Sequence, residues 1–387
     1  MSATRGLLEE LIRRPSLTPE DAGCTELLAD RLAALGFVGE RMDHEGVTNL
    51  WTVRDPQGAA GASEASRAPL IVFAGHTDVV PPGPREAWGS DPFVPTERAG
   101  ALYGRGAADM KSGIAAMVVA VETLLARRPD YPARLAFLLT SDEEGPCRHG
   151  TRHVARVLAE RGVRPDQVIV GEATAVDQVG DRFIIGRRGS LGCTLTIRGV
   201  QGHVAYPERA DNPIHRALPV FAELTARRWD EGTAEFPPTS LQISNFHSGT
   251  GVSNVIPGSA ELVFNFRYSP AQSAQGLRQA VEAALDAAGL DYQADWAHSG
   301  EPYYTAPGRL REVVAGVLAA HNKGRAAEEF TGGGTSDGRF LAPLGCEVIE
   351  LGPVARSIHK VDEHVALADL ETLTNLYGQI LDGLGGA

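Results

Sequence analysis

Pro69-Leu-Ile-Val-Phe-Ala-Gly-His76-Thr-Asp78 is the stretch that decides the fold of this chain. Leu70–Ala74 is an unbroken apolar run without polar alternation, which reads as a strand buried on both faces, as in a parallel sheet. The run ends in Gly75-His76-Thr77-Asp78. An imidazole and a carboxylate therefore stand at a strand's C-terminal end, the edge where open α/β sheets bind ligands. Residues two apart share a face of an extended chain. Asp78 is thus placed behind His76, where a carboxylate fixes the tautomer of a metal-bound histidine. For His-x-Asp alone, a polar loop after a strand is an equal alternative, and the rest of the chain has to decide.

The pattern recurs downstream. Arg134–Thr140 reads as a second buried strand, ending in Ser141-Asp142-Glu143-Glu144, and Gln167–Val170 as a third, ending in Gly171-Glu172. Ser112–Arg127 is a strongly apolar helix, so Asp109 in Arg105-Gly-Ala-Ala-Asp109 lies just before a helix N-terminus. Helical spacing also marks Arg5–Arg14, Thr151–Arg161 and Thr18–Leu35, the last capped by Asp21 or Thr18 and ended by Gly36. Thr48–Val53 reads as a strand, Asp55–Ala68 as a surface loop rich in Gly, Ala and Ser, and Gly83–Tyr103 as an irregular loop or short hairpin. The sum is a βαβα pattern with acidic residues at successive strand ends. His76, Asp109, Glu143, Glu144 and Glu172 then gather along one edge of the sheet. Each carboxylate taken alone reads as a solvated loop residue; gathered, they repel one another, and a cation relieves that repulsion.

From about Arg187 the character changes. Ser190–Ile197, Thr239–Phe246, Ala260–Tyr268 and Tyr292–Ala297 read as strands, and Asn212–Trp229 and Ala274–Ala288 as helices. The order β-α-β-β-α-β is the ferredoxin-like arrangement. After Gly300 the α/β material returns, with helix Arg309–Asn322, loop Thr331–Gly338, strand Glu347–Leu351 and helix Leu367–Leu384. The expected architecture is an α/β domain with a mixed, largely parallel sheet flanked by helices, formed by residues 1–186 and 301–387. A ferredoxin-like α+β domain, residues 187–300, is inserted into it.

The chain of 387 residues is 43% apolar and 22% charged, with a net charge of −13, which argues against nucleic acid or an anionic membrane surface as a partner. A small anionic substrate remains open, because a site can carry local arginines. Cys24, Cys147, Cys193 and Cys346 are scattered and form no C-x-x-C, which argues against a disulfide framework or a thiolate zinc site and fits a reducing compartment. The first residues lack a signal-peptide apolar region and no apolar run reaches membrane-spanning length. A cytoplasmic location is the expectation.

A pair of metals needs five or six ligands, and His76, Asp109, Glu144, Glu172 and His359 suffice if Asp109 bridges. Zinc takes such nitrogen and oxygen ligands at about 2.0–2.2 Å. A bridge holds two ions roughly 3.5–4 Å apart with water or hydroxide between them. Neighbouring side chains of an extended segment point opposite ways, so Glu144 can bind metal while Glu143 faces the water as general base, then acid. The reaction class is hydrolysis of an amide, peptide or ester carbonyl.

Four segments carry a resemblance: Gly75-His-Thr-Asp-Val-Val-Pro-Pro-Gly83, Tyr103-Gly-Arg-Gly-Ala-Ala-Asp-Met-Lys111, Thr140-Ser-Asp-Glu-Glu144 and Gly171-Glu172. They are similar to the dizinc amidohydrolase family of aminoacylases, acetylornithine deacetylases, glutamate carboxypeptidases and succinyl-diaminopimelate desuccinylases. Six more segments are most similar to the last branch: Gly186-Arg-Arg-Gly-Ser190, Gly199–Pro207, Asn212–His215, Phe236–Gln242, Gly332–Phe340 and Ile358-His-Lys-Val361. The resemblance covers nearly the whole chain apart from Asp55–Ala68.

The resemblance implies a zinc-peptidase-like fold and two Zn2+ per subunit, with Co2+ or Mn2+ as substitutes. His76, Asp109 and Glu172 hold one ion, and Asp109, Glu144 and His359 the other. Glu143 is the general acid/base, and Asp78 orients His76. The Asp109–Met110 peptide is expected to be cis, at about 3–4 kcal/mol for a non-proline bond. The inserted domain forms a homodimer and lid, and His203 reaches into the partner's site to stabilise the oxyanion, a contribution of about 3–4 kcal/mol. From the residues alone His203 reads as a turn histidine, and Arg188, Arg267 and Arg339 as solvated charges. The resemblance makes Arg188, Ser190, Tyr206, Asn254, Arg267, Gly334, Thr335 and Arg339 substrate contacts, with arginine forks suited to carboxylates. The implied substrate is N-succinyl-L,L-2,6-diaminopimelate. The desuccinylase pattern has Asn-Asn where this chain has Ser253-Asn254, and commonly an asparagine near Ala355, so deacylation of another N-acyl amino acid, such as N-acetylornithine, is the alternative. A non-catalytic binding protein on this fold is the alternative of another class, against which the full ligand set and Glu143 argue.

Overall fold

The computed structural model describes residues 2–57 and 68–386, so most of the expected Asp55–Ala68 loop lies outside the described residues. The chain forms two compact units: Met1–Gly186 with Tyr304–Phe330 and Ser336–Ala387, and Arg187–Tyr303 with Thr331–Thr335.

The first unit is built on one eight-stranded sheet. Its strands are β1 (Val38–Arg41), β2 (Asn49–Arg54), β3 (Leu70–His76), β4 (Arg134–Thr140), β5 (Gln167–Val170), β6 (Arg182–Ile184), β7 (Glu328–Phe330) and β8 (Glu347–Glu350). Their spatial order is β1-β2-β4-β3-β5-β8-β6-β7. β3 is parallel to both β4 and β5, and β8 is parallel to β5. β1–β2, β2–β4 and β6–β8 are antiparallel, so the sheet is mixed. All seven residues of β3 are buried, as a strand covered on both faces requires. The helices are α1 (Ala3–Ile12), α2 (Cys24–Ala33), α3 (Lys111–Arg127), α4 (Thr151–Glu160), α5 (Arg309–His321) and α6 (Leu367–Leu384). Leu7, Leu8 and Leu11 of α1 share one core with α3, with Leu373, Tyr377 and Leu381 of α6, and with Ile71 and Phe73 of β3. Among the described residues no helix is long and apolar enough to cross a membrane.

The second expected helix begins at Cys24 and not at Thr18. Proline cannot donate a helical N–H and disfavours the helical region for the residue before it, so Thr18-Pro19 stays outside. Gly23 is the N-cap residue and makes no side-chain cap, while the Asp21 carboxylate accepts the Thr25 N–H at 3.0 Å. β1 was not expected, and all four of its residues are exposed, so it carries no buried face to read. The Gly83–Tyr103 region contains the hairpin Thr96–Arg98/Ala101–Tyr103.

Two glycines let backbone pack directly against the Gly171–Glu172 segment. A Cβ on Gly113 of α3 would stand 2.1 Å from the Gly171 carbonyl oxygen, and one on Gly352 would stand 2.1 Å from that of Glu172. Backbone cannot yield as a side-chain tip can. Gly113→Ala is therefore expected to destabilise the protein by about 3 kcal/mol. Denaturant unfolding checks this, and a loss below about 1 kcal/mol would show that α3 has room to retreat.

The second unit is a four-stranded antiparallel sheet in the order Ser240–Ser248, Ser259–Tyr268, Gly189–Arg198, Asp291–Gly300. With helices Pro213–Ala226 and Ala274–Ala287 it has the β-α-β-β-α-β order. Leu191, Cys193, Leu195 and Ile197 alternate onto one face, beside Leu262, Phe264 and Phe266. Asn212 caps the first helix through the Ile214 N–H at 3.0 Å, and Pro213 opens it, both ordinary N-terminal choices. This unit takes in Thr331–Thr335, which the sequence reading placed with residues 301–387. The reason is local bonding: Arg187 Nη1 donates to the Gly332 carbonyl at 3.1 Å, and Thr331 Oγ1 donates to the Glu235 carbonyl.

Candidate metal centre

Parallel pairing brings the strand ends level. His76 is in register with Thr140, and Ala74 with Val170, so Glu172 and the Ser141–Glu144 segment follow at the same height as His76. Asp109 precedes α3 across a cis Asp109–Met110 peptide, and His359 sits on the segment before α6 with φ +58°. That left-handed conformation is uncommon for a non-glycine residue, which makes His359 a locally strained position.

His76 is 1% exposed. Its Nδ1 lies 2.9 Å from the carbonyl oxygen of Asp78. A carbonyl only accepts, so Nδ1 donates to it, and Nε2 is the ring atom that faces Asp109 Oδ1 (3.2 Å) and Glu172 Oε1 (3.6 Å). Against burial, these carboxylates hold the imidazole well above its ordinary pKa, and Nε2 is the nitrogen a cation between them would take in place of the proton. Asp78 meets His76 through its main-chain carbonyl; its carboxylate Oδ1 is 3.5 Å from Nδ1. That carboxylate instead accepts the N–H of Glu144 at 3.0 Å and of Glu143 at 3.3 Å, which ties the acidic segment to the His76 strand. The other oxygen of Asp109, Oδ2, lies 3.3 Å from His359 Nε2, which is 2.9 Å from Glu144 Oε1.

Two overlapping triads result. His76, Asp109 and Glu172 offer ligand atoms all within 4.8 Å of one another, and so do Asp109, Glu144 and His359. Burial, reinforced by Asp109, pushes the Glu172 carboxyl well above the usual carboxylate range. Hydrogen bonds to Asp109 and Glu144 push His359 up to about 10. Carboxylates and imidazoles crowded into mutual contact, all nitrogen or oxygen donors, are the chemistry a pair of borderline divalent cations takes. The residues present fit such a pair.

Glu143 belongs to neither triad. Its carboxylate lies 3.5 Å from Arg339 Nη1, and both side chains are largely buried. Burial pushes Glu143 well above the ordinary range, against the opposing pull of His76 and Arg339. A carboxyl tuned upward suits a group that takes and returns a proton.

The remaining candidates fall into separate groups. Arg339 joins Glu143 in the first unit, its Nη1 also donating to the Ser336 carbonyl at 2.7 Å. In the second unit Arg267 is in register with Ser190 and with Ser240. Arg188 donates to Ser240 Oγ at 3.4 Å, and the buried Ser190 Oγ accepts from Asn265 at 3.2 Å. His203 lies on the two-stranded sheet Gly202–His203/Val255–Ile256 and is exposed, its ring 5.7 Å from that of Tyr206. The Asn254 carbonyl accepts the Val204 N–H beside it. Gly334 and Thr335 lie in the 331–335 segment of that unit.

Sequence reasoning missed the buried groups that hold these loops. Asp142 accepts the N–H groups of Cys147, Arg148 and His149 at 2.8–3.1 Å. Asp337 accepts from Thr151 Oγ1 at 2.7 Å, and burial pushes its carboxyl up to about 6. Glu363 and Arg105 form an ion pair at 2.7 Å with side chains 1% and 2% exposed. The one available signal for Glu363 was a need: the Gly106–Asp109 backbone precedes a helix, its N–H groups require acceptors, and a carboxylate stood four residues past His359.

The profile of peptidase family M20/M25/M40 matches residues 72–383. The chain belongs to this family. Within it, the chain is 56% identical over 384 residues to the succinyl-diaminopimelate desuccinylase of Stenotrophomonas maltophilia (strain R551-3), covering 99% of this chain and 100% of that one. It is 54% identical to the succinyl-diaminopimelate desuccinylase of Xylella fastidiosa (strain M23), covering 99% of both. Among solved structures of the family, an M20 metallo-carboxypeptidase, Sso-CP2, from Sulfolobus solfataricus superposes with a TM-score of 0.83 at 16% identity over 100% of both chains. The Bacillus subtilis YXEP protein, described as a dinuclear metal-binding peptidase of family M20, superposes at 0.70 and 14% identity, over 98% of this chain and 96% of that one.

Proposed function

We propose that the protein is a two-zinc amidohydrolase that cleaves N-succinyl-L,L-2,6-diaminopimelate to succinate and L,L-diaminopimelate, a step toward lysine and peptidoglycan precursors. The observation that carries this reading is the pair of triads sharing Asp109, with Glu143 beside them, in a chain more than half identical to relatives named for that reaction. Bound ions supply charge that polarises the amide carbonyl and acidifies water. The protein supplies the rest. His76 is held as the Nδ1–H tautomer by the Asp78 carbonyl, which keeps Nε2 for a ligand bond. Glu143 takes the proton of the attacking water and returns it to the leaving amine. Arg339, beside Glu143, offers a guanidinium fork for a substrate carboxylate. Arg188, Ser190, Tyr206, Asn254, Arg267, Gly334 and Thr335 are the proposed further contacts. A cytoplasmic homodimer, formed through the second unit and with His203 steadying the oxyanion in the partner's site, completes the reading.

Purified, zinc-loaded protein assayed side by side on N-succinyl-L,L-diaminopimelate and N-acetylornithine tests it. The expected result is a kcat/KM favouring the succinyl substrate by orders of magnitude. Hydrolysis of the acetyl substrate alone would keep the chemistry and reject the substrate, with Ser253 and the segment around Ala355 the first places to look.

A further inference from the structure

We infer that the buried Glu363–Arg105 pair is a positioning element that couples the two metal positions, so that losing it costs the His359 position more than the His76 position. The inference rests on the two-metal reading above. Glu363 uses both carboxylate oxygens twice. Oε2 accepts from Arg105 Nη1 at 2.7 Å and from the Gly106 N–H at 3.0 Å; Oε1 accepts from the Ala108 N–H at 2.9 Å and the Asp109 N–H at 3.0 Å. Asp109, the ligand common to both triads, is thereby hung from the segment that carries His359. Arg105 extends the tie: it donates to the Lys360 carbonyl at 3.2 Å and the Pro81 carbonyl at 3.3 Å, and Gly104 N–H donates to the Glu363 carbonyl at 2.9 Å. The loops after His76, before α3 and around His359 are thus gathered on one ion pair.

The two triads depend on this tie unequally. His76 ends β3 and Glu172 follows β5 by two residues, so the sheet places both. Glu144 is fixed by Asp78. Asp109 and His359 alone among the ligands ride on the segments that Glu363 joins, and both serve the second triad while only Asp109 serves the first. A carboxylate is also required for it. Glutamine in either flip turns one oxygen into an NH2 that faces two donors, so two of the four bonds are lost whichever way the amide lies.

The test is a titration of metal-free, full-length protein with Zn2+ against a chromophoric chelator, for wild type, His359→Ala, Glu363→Gln and Glu363→Asp. Wild type is expected to bind two ions. In E363Q the stepwise constant that His359→Ala also abolishes is expected to fall about 10–100-fold and the other by less than about tenfold, the range typical of partners behind metal ligands. E363D, which keeps both acceptor oxygens, is expected to recover part of the loss, and it replaces E363Q as the readout if circular dichroism shows E363Q unfolded. A merely structural role weakens both constants alike, and equal losses overturn the proposal, as do unchanged constants. Wild type binding fewer than two ions overturns the two-metal reading itself, which separates the two failures.

Discussion

Glu143→Gln is expected to retain both metal ions and to lower kcat by about 10²–10⁴-fold, the span of a general acid–base group. Three features make the effect specific. The Glu143 main chain is held by the Asp78 carboxylate at 3.3 Å independently of its own side chain, so the substitution leaves the segment in place. Glutamine matches glutamate in size, so the packing around a largely buried side chain is preserved. The carboxylate stands outside both triads, so no ligand is lost. Turnover and metal content have to be measured on the same sample. Hydrolysis within about threefold of wild type would remove Glu143 from proton transfer, and loss of metal would make it a ligand.

Asp109→Ala is expected to cost both ions, and with them all turnover. The two oxygens of Asp109 face different partners, Oδ1 toward His76 and Oδ2 toward His359. The substitution leaves each position with two protein ligands. The weakening should exceed the roughly 10–100-fold cost of removing a group that stands behind a ligand. Equilibrium dialysis against Zn2+ decides the matter. One ion retained at wild-type affinity would show that Asp109 serves a single position.

Much of this centre could be read from residues because the parallel sheet does the placing. An apolar run such as Leu70–Ala74 has one way to be buried, and its polar successors must then emerge at the strand end. That logic located His76, Glu143, Glu144 and Glu172 without any contact being known. Asp109 and His359 were harder, since loops carry them. The groups that escaped notice, Glu363, Asp142 and Asp337, share a property: their partners are main-chain N–H groups or distant hydroxyls, which leave no trace in spacing. The second helix was read too long for a similar reason, its periodicity running through a proline that local sterics keep outside it. β1 lay hidden because pairing alone, without burial, defines it.

The position of β8 carries a consequence for how the chain is made. Glu347–Glu350 lies between β5 and β6, so a strand synthesised long after β5 fills the middle of the sheet. Until it leaves the ribosome, β5 presents an unpaired edge after Val170 has long been exposed. Open edges of apolar strands are templates for mispairing, and long-range closures of this kind are slow. Nascent chains halted before Glu347 should therefore aggregate or recruit chaperones, whereas chains that have cleared α6 should not. The insertion of a second unit ahead of β8 lengthens that vulnerable interval.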